Sequence, residues 1–146
     1  MTVLSQERLP SDPDAPPEVA SFVSGPLVRR TVWLGALGGT PLVHAVSWWN
    51  EAVFASSMPA EAAPIGDNLA AKRTELFRQH CAVSLVEEEV NGFGLSDDDA
   101  AASGGGLEAA FGFRGPFWAR HYVLWSGGKP LTVIREIFSP RLASCL

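Results

Sequence analysis

The chain has 146 residues, 47% hydrophobic and 18% charged, and its 11 Lys and Arg against 16 Asp and Glu give 11 − 16 = −5. That length suits one modest domain with a real core. The acidic balance, with no basic run longer than Arg29-Arg30 or Lys72-Arg73, argues against nucleic acid as a partner, and the absence of any long apolar run argues against a membrane span or a signal peptide. The expected compartment is the cytoplasm.

Residues 1–26 are rich in Pro, Asp and Ser, and PSDPDAPP at Pro10–Pro17 cannot enter a helix interior or a central strand. An irregular N-terminal arm is expected, with one or two helical turns in Glu18–Ser24 stopped by Gly25-Pro26. Leu27–Trp49 reads as a β-hairpin reversing near Gly38-Gly39. Alternation puts Arg30, Val32 and Leu34 on one face of its first strand, with Arg29, Thr31 and Trp33 on the other. On its second strand Leu42, His44, Val46 and Trp48 alternate with Val43, Ala45, Ser47 and Trp49.

Leu69, Arg73, Leu76, Phe77 and His80 fall at three- and four-residue steps, so a helix is expected over Pro64–His80, with Gly66 and Asp67 near its start. CAVSLVEEEV from Cys81 reads as a strand. The acidic and glycine-rich stretch 91–106 is expected to be a flexible loop. A second hairpin follows, Trp118–Trp125 and Pro130–Phe138, turning at Gly127-Gly128. These elements sum to an α+β fold, an antiparallel β-sheet with flanking helices, forming a single domain over 27–146.

Cys81 and Cys145 make no disulfide framework, and His44, His80 and His121 lack metal-ligand spacing, so no metal is expected; a zinc site would have to be assembled purely in space.

The ordered pieces LVRRTVWLG…PLVHAVSWW, PIGDNLAAKRTELFRQ and WSGGKPLTVIREIFSPRL resemble the chorismate lyase family, the chorismate-pyruvate lyases, over roughly Leu27–Leu142. The resemblance implies a cofactor-independent carbon–oxygen lyase that eliminates pyruvate from chorismate, or a close relative, to give 4-hydroxybenzoate or a related aromatic acid. It places the substrate-clamping arginine on Arg30, with Arg29 as the alternative, the glycine beside the bound carboxylate on Gly66, and the terminal acidic residue on Glu136. Arg30 and Glu136 are the catalytic candidates; Arg30, Gly66, Arg29, Arg73 and His44 are the substrate-binding ones, with Arg78 as a further second-rank group.

The chemistry suits these residue types. A guanidinium offers a bidentate fork to a carboxylate of a dicarboxylate substrate, a backbone N–H at a glycine can approach closely, and a carboxyl group can move a proton or orient a substrate hydroxyl. The stretch before Arg30 is shorter than in the bacterial lyase, so a less enclosed site is expected. The competing reading is a non-catalytic domain that binds a small aromatic carboxylate; no oligomeric partner is legible.

Overall fold

A computed structural model of the chain describes residues 1–36, 39–58, 63–72, 75–87 and 106–145. Its elements in chain order are β1 (Thr2–Leu9), α1 (Pro17–Phe22), β2 (Leu27–Gly35), β3 (Pro41–Asn50), α2 (Glu51–Ser57), α3 (Ile65–Ala71), β4 (Leu76–Val86), α4 (Gly106–Phe111), β5 (Phe117–Ser126), β6 (Lys129–Phe138) and a final 3-10 turn over Pro140–Cys145. The strands form one six-stranded sheet in the order β1-β2-β3-β6-β5-β4, antiparallel at every pairing. The fold is α+β, as expected.

Both hairpins form. In the second, Gly127 and Gly128 take φ of 56° and 74°, the paired left-handed conformation that a two-residue turn between twisted strands requires. In the first, Gly39 lies at φ 86° and donates its N–H to the Ala36 carbonyl at 3.1 Å.

Two expectations are corrected. Residues 2–9, read as part of an irregular arm, form β1, which pairs with β2 so that Gln6 lies opposite Arg30; the prolines that blur the composition of this region begin only at Pro10. The helix expected over Pro64–His80 ends at Ala71, and Leu76–His80 opens β4 instead. Spacing in so short an apolar set fits either period, and the ladder to β5, from Leu76 opposite Ser126 to Val86 opposite Phe117, decides it. Of the expected loop 91–106, only Gly106 is among the described residues, and it begins α4.

Helices cover both faces of the sheet. On one, Val19 of α1 packs with Val46, Trp48, Val123 and Val133, while Leu107 and Phe111 of α4 pack with Trp33, Phe117 and Ile137. A six-residue helix cannot hold itself in water; burying Leu107 and Phe111 contributes roughly 1.5–3 kcal/mol each. On the other face, Phe54 and Met58 seat against Val28 and Trp49, and Leu69 of α3 sits on Tyr122, Leu124 and Ile134. Among the described residues no helix is long and apolar enough to cross a membrane.

The start of α2 has a specific stop on fraying. Asn50 Oδ1 accepts the N–H groups of Ala52 at 2.9 Å and Val53 at 3.1 Å, and Asn50 Nδ2 donates to the Ser24 carbonyl. Asn50→Ala is therefore expected to cost about 1–2 kcal/mol in urea unfolding; an unchanged midpoint would remove the cap from the account of α2.

Candidate functional site

The face under α3 is not filled. A cavity of about 400 Å3 lies between that helix and the sheet, within the size range of small-molecule sites, roughly 300–1,000 Å3. Strand alternation decides what lines it. Because Arg30 pairs with Ser47, Ser47 with Ile134 and Ile134 with Tyr122, these four side chains form one row across β2, β3, β6 and β5. The next row runs Val32, Ala45 and Glu136, and Gly66 and Leu69 of α3 close the top.

Arg30 is 1% exposed. Its guanidinium lies on the cavity wall, with Nη2 donating to the Ala63 carbonyl at 3.2 Å and lying 3.7 Å from the Met1 sulfur. The same carbonyl accepts from Asn68 Nδ2 at 3.4 Å, which fixes the chain entering α3 against β2. Gly66 presents no side chain there, and a Cβ built on it would meet nothing within 4 Å.

Glu136, on β6 two strands away from Arg30, lines the same cavity in a built setting. Arg120 Nε donates to its Oε2 at 2.7 Å, and the Tyr122 hydroxyl donates to Oε1 at 3.2 Å. The Arg78 and Arg120 guanidiniums lie 5.7 and 5.4 Å from the Tyr122 ring centre, close enough for attraction to its π face. Among the described lining residues, Arg30 and Arg78 are the cationic groups and Glu136 the anionic one, and Arg120 offsets the latter's charge. Guanidinium groups therefore face this cavity although the whole chain is acidic.

Burial, and then the nearby Glu136 carboxylate, push the Tyr122 phenol up to about 12. A raised value favours the neutral phenol in the folded state, so this contribution to stability is complete below pH 10 and is lost as pH rises toward 12. Tyr122 is the chain's single tyrosine. An ultraviolet phenolate titration is therefore expected to show a midpoint near 12 in the native protein and near 10 in urea; equal midpoints would place the ring in water.

The structure brings Arg30, Gly66 and Glu136 to one cavity. Arg29 and His44 are corrected. Arg29 faces the other side of the sheet, 3.6 Å from both Glu7 and Asp12, and Asp12 in turn accepts the Trp48 indole N–H at 2.8 Å. His44 is buried on that same far side, edge-on to Trp33 at 4.9 Å. The period of two that turns Arg30 and Ala45 inward turns both of these away. Arg73 lies outside the described residues. Arg78 belongs to β4 rather than to a helix, and lines the cavity.

Arg120 and Tyr122 were missed. Counting back from the Gly127-Gly128 turn without interruption would set Arg120 opposite Arg135; a bulge at Leu131 shifts the ladder by one and sets it opposite Glu136.

A family model described as "Chorismate pyruvate-lyase Rv2949c-like" matches residues 1–146. The ycf21 protein of Cyanophora paradoxa is 32% identical over 115 residues, 79% of this chain and 51% of that protein, so the chain spans about half the length of that relative. Among solved structures, the C-terminal domain of YurK from Bacillus subtilis superposes with a TM-score of 0.58 at 12% identity, covering 94% of this chain and 88% of that one. The ligand-binding domain of a proposed GntR-family transcriptional regulator from Bordetella bronchiseptica does so at 0.58 and 18%, covering 93% and 82%. At these identities the structural likeness is one of fold.

Proposed function

Because the chain belongs to the chorismate pyruvate-lyase family of the Rv2949c-like type, we propose that its cavity binds a small aromatic or cyclohexadiene carboxylate, held by Arg30. The observation that carries this reading is the convergence of a buried arginine, a glycine-faced helix start and a paired glutamate on one small cavity with otherwise largely apolar walls. Arg30 supplies the charge, Ile134 and Leu69 the surfaces for a ring, and Gly66 leaves room for close approach. The fold shared with the ligand-binding domain named above supports binding as the core activity. The proposed setting is the cytoplasm.

A second reading adds chemistry to the same site, and the family match together with the placement of Glu136 favours it. Chorismate loses its enolpyruvyl group when the ring C–O bond breaks, a ring proton leaves, and the enolpyruvate is protonated to pyruvate. Atoms balance and no oxidant or cofactor is required. Glu136, oriented by Arg120 and Tyr122, would orient a substrate hydroxyl or assist proton transfer at the departing ether oxygen. Aromatisation of the ring supplies much of the driving force.

The test titrates the protein with 4-hydroxybenzoate and with its neutral amide, then incubates it with chorismate while pyruvate and 4-hydroxybenzoate are quantified. The acid is expected to bind at least tenfold more tightly than the amide. Product above the uncatalysed background supports the lyase; binding without product leaves the ligand-binding domain; neither binding nor product overturns both.

A further inference from the structure

On the far side of the sheet from the cavity, Glu18 of α1, Cys81 of β4 and His121 of β5 turn their side chains toward one point, and their ligand atoms all lie within 4.8 Å of one another. His121 Nε2 is already 3.0 Å from Glu18 Oε2. None of the three is fully solvated, the side chains of His121 and Glu18 being 14% and 23% exposed.

The backbone aims the thiol there. The β4–β5 ladder runs from His80 opposite Tyr122 to Ala82 opposite His121, leaving Cys81 as the extra residue of a bulge. In a regular strand, Cys81 and Ala82 would point to opposite faces. Alternation from His80, which shares the cavity face with Tyr122, turns Cys81 to the far face, where it packs beneath α1 with Val19 and Val123, beside His121.

We propose that Glu18, Cys81 and His121 form a binding site for a borderline-soft divalent cation of the zinc class. A thiolate, an imidazole and a carboxylate are together the donor set such ions select over calcium or magnesium. Tetrahedral zinc with bonds of about 2.0–2.3 Å needs its donors about 3.3–3.6 Å apart, so the present spacings need adjust by little more than an ångström. A fourth position is left for water or an outside ligand. Burial, and then Glu18, hold the Cys81 thiol above its ordinary value, so the metal displaces a proton from sulfur on binding. Sequence spacing carries no metal motif, because the three donors come from three elements; a bound ion would fasten α1 to the edge strand that also carries Arg78.

Cobalt(II) serves as the spectroscopic probe on the full chain. One equivalent is expected to produce a thiolate-to-cobalt charge-transfer band and the intense visible bands of tetrahedral coordination, both displaced by zinc, with zinc raising the melting temperature. Cys81→Ser is expected to abolish the charge-transfer band, Glu18→Gln and His121→Gln to weaken binding at least tenfold, and Cys145→Ser to change nothing. Metal-free melting curves of each variant report that it folds. The site is overturned if no thiolate band appears with folded wild type, if the band survives Cys81→Ser, or if it is lost with Cys145→Ser instead.

Discussion

Replacing Arg30 by methionine is expected to weaken binding of 4-hydroxybenzoate by about 10- to 150-fold, the equivalent of a charge-assisted hydrogen bond of about 1.5–3 kcal/mol. Methionine fills much of the space of the arginine stem, so the wall of β2 stays packed. The Ala63 carbonyl that accepts from Arg30 keeps its bond from Asn68 Nδ2, which should preserve the entry to α3. Arg30→Lys retains charge without the planar fork and is expected to fall between wild type and methionine. The discriminating control is Arg29→Met. It removes contacts to Glu7 and Asp12 on the other face and is expected to lower the melting temperature while leaving ligand affinity within twofold. If Arg29→Met rather than Arg30→Met abolishes binding, the carboxylate is not in the cavity under α3.

Glu136→Gln separates binding from chemistry. Glutamine keeps an acceptor for the Tyr122 hydroxyl but loses the charge that holds Arg120. If the site is a lyase, pyruvate release from chorismate is expected to fall by about 10²–10⁴-fold, the range of a lost acid–base group, while affinity for 4-hydroxybenzoate holds or rises as repulsion between two carboxylates is relieved. A parallel loss of binding and turnover would make Glu136 a structural partner of Arg120 only. Arg120→Met should reproduce part of the turnover defect, since Arg120 reaches Glu136 without itself being among the cavity-lining residues.

The face on which Arg30 lies was legible because a period of two admits no compromise: once Val32 and Leu34 are taken as inward, Arg30 follows and Arg29 and His44 cannot. The hairpin turns were legible for a related reason, since Gly127-Gly128 can adopt backbone angles that other residues resist. What escaped was set by long-range pairing. The bulge at Leu131 gives no compositional signal, yet it determines that Glu136 meets Arg120 rather than that two arginines meet. The bulge at Cys81 is equally silent. LFRQH carries apolar groups compatible with helix or strand, and only β5 alongside settles it. β1 was hidden because its few alternating residues abut a proline-rich stretch that dominates the composition of 1–26.

The cavity itself depends on the residues that roof it. Leu69 is 2% exposed on Tyr122, Leu124 and Ile134, so α3 is anchored by an apolar contact at one end and by Asn68 and Arg30 on the Ala63 carbonyl at the other. Gly66 lies between these anchors on the cavity side. This arrangement keeps the glycine at a defined distance from the arginine, the preorganisation that a small carboxylate needs to bind without ordering the site first.

The most direct test is where 4-hydroxybenzoate sits in crystals of the chain. Its carboxylate is expected within hydrogen-bonding distance of the Arg30 guanidinium, with the ring against Ile134 and Leu69 and the hydroxyl toward Glu136. A ligand seated on the α1 face, or a cavity that stays empty at concentrations where binding is saturated in solution, would contradict the assignment of this cavity as the binding site.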